Sequence, residues 1–109
     1  MANPWTGEVA LVIDGERHVL KLTLGALAEL EAGLEADTLI GLVERFEAGA
    51  FSSRDVLMLI VAGLRGGGWR GQAEDLLTAE IEGGPVGAAR AAGQLLARAF
   101  AVAPGPDDG

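Results

Sequence analysis

Cysteine is absent from this 109-residue chain, which excludes disulfide bonds, thiol nucleophiles and thiolate metal sites. Histidine occurs once, so a zinc ion would depend on carboxylates for its other protein ligands, and we expect no metal. The lack of cysteine also fits a reducing compartment, which favours a cytoplasmic protein.

Long apolar runs are missing as well. None approaches the roughly 18 uninterrupted apolar residues that a membrane span needs, and residues 1–5 have neither the basic nor the apolar region of a secretory signal. We therefore expect no membrane partner.

Basic residues are scarce. There are 8 Lys and Arg against 16 Asp and Glu, giving a net charge of −8, and no basic tract forms. Nucleic-acid binding is disfavoured because nothing would neutralise the phosphates. A DNA-mimicking inhibitor is a remote alternative, since the acids alternate with apolar residues and resemble solvated helix faces.

A β-hairpin is predicted over residues 8–23. Asp14-Gly15 suits a type I′ turn, and this turn places Val9 opposite Leu20 and Leu11 opposite His18. One face of the hairpin is apolar and needs a cover, because an isolated hairpin is marginal in water.

Helical spacing begins after Thr23 and predicts an α+β fold, mostly helical, in a single domain over residues 1–103. Thr23, Asp37 and Ser52 are suitable N-caps, and Ser52 forms a capping box with Asp55. The expected helices are four or five in number and cover about 24–34, 38–48, 53–65, 71–82 and 85–101. The tail 104–109 is predicted to be disordered.

The third predicted helix is apolar around its whole circumference, which is typical of a central helix or a subunit interface. We expect Leu57, Ile60, Val61 and Leu64 to form the centre of the core. In the fifth helix the predicted inward stripe is Ala89, Ala92, Leu96 and Phe100.

Residues for catalysis are few. His18 lies on the apolar face of the hairpin and is interpreted as structural, Ser52 is interpreted as a cap, and the carboxylate pairs are interpreted as solvated. The string from Gly66 to Gly71 matches GxGxxG, but it follows a helix and lies outside a βαβ unit, so it does not predict a nucleotide site. We expect no enzyme, no catalytic residues and no cofactor.

Trp5 and Trp69 lie in predicted loops. Each either covers the edge of the core or anchors a protein partner, because tryptophan is enriched at binding hot spots. With Phe100, they are the candidate partner-binding residues, and self-association is a further possibility.

Several segments resemble the gene transfer agent family of small phage-tail proteins. The segments are Asn3–Val9, Leu24–Glu31, Arg45-Phe46 and Asp55–Arg65, and the resemblance as a whole extends over about residues 3–100. The motifs are mostly apolar, so the resemblance identifies no active site.

The resemblance implies a role in building a phage-like tail, and the family is described both as a tail tube protein and as a tail assembly chaperone. A chaperone would bind the tape-measure protein and recruit tube subunits in the cytoplasm of the producing bacterium. A structural tube subunit would remain in the particle and would normally contain more β-sheet. The helix-rich pattern therefore favours the chaperone, with the tube subunit as the alternative.

Overall fold

The computed structural model describes residues 7–34 and 38–101. An N-terminal hairpin is followed by four α-helices, which confirms the predicted α+β, mostly helical class. In chain order the elements are β1 (Val9–Ile13), β2 (Glu16–Leu20), α1 (Leu24–Gly33), α2 (Leu39–Glu47), α3 (Ser53–Gly66), a short 3-10 helix (Ala73–Leu76) and α4 (Gly84–Ala101). Trp5, Asp37 and the tail 104–109 lie outside the described residues.

The hairpin has the predicted register. Val9 pairs with Leu20 and Leu11 with His18, while Asp14 (φ 52°) and Gly15 (φ 78°) both have the positive φ that a type I′ turn requires. The turn residues and the apolar face therefore specify the same strand register.

The outer edge of β2 lies against the end of α3. The Lys21 amide donates to the Gly63 carbonyl at 2.9 Å. A Cβ on Gly66 would lie 1.8 Å from the Lys21 carbonyl oxygen, and one on Gly67 2.0 Å from that of Val19. These two glycines thus let the helix end approach the strand backbone directly, which is the structural role of the GxGxxG string.

The outer edge of β1 is partly covered by a segment predicted to be helical. The prediction of a helix over 71–82 is wrong: after the short 3-10 helix, Ile81 forms a bridge with Ile13. The Glu82 amide donates to the Val12 carbonyl at 3.0 Å, and the Glu80 amide donates to the Asp14 carboxylate at 2.8 Å. Pairing with an exposed strand edge replaces the helical hydrogen bonds here.

Helix α3 forms the centre of the core, and three of its four predicted core residues are confirmed. Ile60, Val61 and Leu64 are buried, whereas Leu57 is only partly buried and Leu59 is fully buried instead. Helix α3 is contacted by β2, α1 and α4. Because these elements pack on different sides of its C-terminal half, more than one face of that half is buried.

Helix α4 is rotated relative to the prediction. Ala92 and Leu96 are buried as expected, but Ala89 is half-buried and Phe100 is 38% exposed. The buried face is wider because α4 contacts both β1 and α3. Its buried residues are Ala88, Ala91, Ala92, Leu95 and Leu96.

Side-chain caps begin the first three helices. Thr23 accepts from the Ala26 amide at 3.1 Å, and Ser52 and Asp55 form the predicted capping box. At the start of α2 the capping residue is Thr38, one residue after the predicted Asp37.

An ion pair joins α2 to the start of α3. Arg45 donates from Nε and Nη2 to the two carboxylate oxygens of Asp55, at 3.2 and 2.9 Å. Asp55 also accepts from the Ser52 amide at 2.9 Å. Burial alone would raise the pKa of Asp55, but these hydrogen bonds and the Arg45 charge outweigh it, so the pKa lies below its usual value.

This pair predicts a loss of stability in acid. Because the folded-state pKa of Asp55 is lowered, its contribution is complete above the unfolded-state pKa of about 4 and is lost as the pH falls through the lower folded-state value. Asp55→Asn should cost about 2 kcal/mol at pH 7, since it removes the charge of a partly buried pair and also a cap. Urea unfolding measured at pH 7 and in acid should show this difference shrinking below about pH 4. An equal cost at both pH values would contradict the assignment.

Candidate functional site

An apolar groove lies between α2 and α4. Its volume is about 430 Å³, and we call it the α2–α4 groove. Val43, Phe46, Glu47 and the following Phe51 form one side, and Val86, Ala89, Arg90, Gly93, Leu96 and Ala97 of α4 form the other.

The α2 side carries a pair of stacked aromatic rings. The ring centroids of Phe46 and Phe51 are 4.4 Å apart and the ring planes differ by 7°. The turn that brings them together depends on Gly49, whose φ is +73°, and on a 2.8 Å hydrogen bond from the Ala50 amide to the Arg45 carbonyl. The result is a flat, half-buried apolar wall.

The α4 side is a stripe of small residues bounded by larger ones. Ala89, Gly93 and Ala97 follow one another at four-residue intervals, so they lie on one helix face. Val86, 66% exposed, lies at one end, and Phe100 extends the same face at the other. Large apolar side chains left in water beside a groove are typical of an interaction surface.

Two opposite charges line the groove. Glu47 projects from α2 and Arg90 from α4, and within residues 7–34 and 38–101 neither takes part in an ion pair. By contrast, Arg45 is held by Asp55, and Arg65 contacts Glu29 at 2.7 Å.

The structure separates the described candidate partner residues. Phe100 lies on the α4 face that forms the groove. Trp69 is half-buried against the core, and its amide donates to the Leu64 carbonyl at 2.9 Å. The indole of Trp69 packs against Gly71, where an added Cβ would lie only 2.1 Å from Cζ2 of the indole. This packing agrees with the interpretation that Trp69 covers the edge of the core. A role of any of the three candidates in partner binding stays a prediction.

The groove itself was missed in the sequence. The signal was the 3-4-4-3 spacing of Val86, Ala89, Gly93, Ala97 and Phe100, which describes a second apolar face of α4. The sequence pattern predicts part of this face to be in the core, because the small side chains of an alanine-rich helix do not specify which face points inward.

The chemistry of the described residues is sparse. His18 Nε2 lies 3.5 Å from Glu16 Oε1, and the histidine side chain is 22% exposed. Nowhere in the described ranges do three or more metal-ligating side chains converge. None of the helices over these residues is both long and apolar enough to span a membrane.

Comparison with protein families gives one match over most of the chain. The family model described as "Phage tail tube protein, GTA-gp10" matches residues 6–102. Neither the curated proteins nor the solved structures include a match. The match includes the hairpin and all four helices, so the chain belongs to this gene transfer agent family of phage tail proteins.

Proposed function

We propose that this protein is a tail assembly chaperone. It binds an apolar helical segment of the tape-measure protein, keeps that segment soluble and helps to recruit tube subunits. The activity is non-enzymatic and takes place in the cytoplasm of the producing cell. The observation that carries the proposal is the α2–α4 groove, because an amphipathic helix binds by placing its apolar face in such a groove.

The length of the groove suits a helix, because its lining on α4 runs from Val86 to Ala97, about 18 Å or three helical turns. Helix α4 has 18 residues and is therefore about 27 Å long, and its exposed face extends from Val86 to Phe100. Each 100 Å² of apolar surface covered contributes roughly 2.5 kcal/mol, part of which offsets the loss of freedom on association.

The hairpin supports the same proposal. A tube built from β-sheets would need free strand edges to extend its sheets between subunits. Here α3 lies against β2, and the segment around Ile81 pairs with β1. Arg98 also donates to the carbonyl of Glu8, the residue before β1. These contacts occupy edge groups of Val12 and Asp14 beside β1 and of Lys21 after β2, so a neighbouring strand could not pair along the whole of either edge.

A structural tube subunit is the second candidate. The description of the family as a tail tube protein favours it, and the groove would then bind neighbouring subunits in the particle.

Quantitative mass spectrometry of purified particles and of the producing cells separates the two. The chaperone predicts abundant chain in cells and trace amounts in particles, with the tape-measure protein of the same particles as the internal standard. Many copies per tape-measure molecule in the particle would contradict the chaperone and establish the tube subunit.

A further inference from the structure

We infer that the α2–α4 groove selects an amphipathic helix whose apolar face has a basic residue on one flank and an acidic residue on the other. The basic flank faces Glu47, the acidic flank faces Arg90, and the helix backbone passes over Gly93. This inference rests on the proposed function, because it names the chemistry of the partner at that site.

Gly93 is the first observation. A glycine in the interior of a helix, beyond its first turn, costs about 1 kcal/mol relative to alanine, so its presence there calls for a reason. Gly63 and Gly87 have one within the fold: a Cβ would lie 2.7 Å from Leu95 Cδ1 and 2.4 Å from the Glu82 carbonyl oxygen, respectively. At Gly93 the nearest atom is Phe46 Cδ2 at 3.9 Å, an ordinary contact. The fold therefore does not need this glycine, and the space it leaves faces the groove.

The small stripe around Gly93 extends this space. With alanines at 89 and 97, the floor of the groove is low over two helical turns, while Val86 and the aromatic wall of Phe46 and Phe51 rise beside it. A helix can approach closely over such a floor, as glycine and alanine permit elsewhere in close helix pairs.

The charges are the second observation. Glu47 and Arg90 belong to different walls of an apolar groove and are not ion-paired to any other described residue. A partner with matching flanks would pair both, whereas a helix with two acidic flanks would place a like charge at Glu47, and one with two basic flanks would place a like charge at Arg90. Groups at a rim contribute mainly to specificity.

The experiment uses the full chain and three fluorescent helical peptides of about 18 residues, matching the length of α4. All share one leucine and alanine face; their flanks are lysine with glutamate, glutamate with glutamate, or lysine with lysine. We expect the mixed peptide to bind about fivefold to tenfold more tightly than either of the others. In each of the other two peptides, one flank repels Glu47 or Arg90, whereas the mixed peptide attracts both.

Variants identify the residues responsible. Arg90→Glu should shift the preference to the two-lysine peptide, and Glu47→Lys to the two-glutamate peptide. Gly93→Leu should weaken all three at least about tenfold, and Ala97→Leu is a second blocking variant should the first fail to fold by circular dichroism. Ala28→Leu, on an exposed position of α1, is the matched control and should bind as the wild type does.

Several results would overturn the inference: preferences unchanged by both charge reversals, equal binding of the three peptides, or wild-type binding by both blocking variants. A dimer in sedimentation that Gly93→Leu abolishes, without peptide binding, would show that a second copy occupies the groove and would also overturn it. If the chain still captures the tape-measure protein in these cases, the proposed function stands; many copies in the particle would overturn that function whatever the peptides show.

Discussion

Gly66→Ala should destabilise the protein by at least about 3 kcal/mol, a large share of the roughly 5–15 kcal/mol that holds a domain of this size together. The new Cβ would lie 1.8 Å from the Lys21 carbonyl oxygen and 3.0 Å from its carbon. These are backbone atoms of the chain leaving β2, and the Lys21 amide is itself bonded to Gly63. Relief therefore requires α3 to move away from the hairpin.

Gly25→Ala is the matched control, because it makes the same chemical change in another helix. Its Cβ would meet only Thr23 Oγ1, at 4.0 Å, so we expect unchanged stability or a gain of up to about 1 kcal/mol. Urea unfolding of both variants tests the pair. A Gly66→Ala protein as stable as the wild type would show that the helix end does not lie on the strand.

Ile60→Ala should cost about 2–5 kcal/mol, because the side chain is 1% exposed and its removal leaves a cavity in the centre of the core. For a domain of this length the melting temperature should fall by roughly 10 °C or more. Leu57→Ala, one turn earlier and only partly buried, should cost about half as much or less. Equal melting temperatures for wild type and Ile60→Ala would contradict the central position of α3.

The hairpin could be predicted almost completely because several local signals agree there. Asp14-Gly15 specifies the turn, the turn specifies the register, and a shift by one residue would expose Val9 and Leu11. The caps at Thr23 and Ser52 could also be predicted from the sequence, because each cap bonds only to residues in the first turn of its own helix.

Features that depend on distant contacts could not be predicted this way. The segment around Ile81 has a helical sequence pattern, but it forms a bridge with Ile13, a residue nearly seventy positions earlier in the chain. The rotation of α4 depends on β1 and α3, and the groove depends on how α2 lies beside α4. Local spacing contains none of this information.

Co-expression with the tape-measure protein tests the central claim, that the α2–α4 groove binds an apolar helix of that protein. The measurement is the amount of soluble tape-measure protein captured on the tagged chain at moderate salt. The account predicts capture by the wild type and by Ala28→Leu, and loss of capture by Gly93→Leu. A tape-measure protein that stays insoluble and uncaptured with the wild type, or is captured equally by Gly93→Leu, would contradict it.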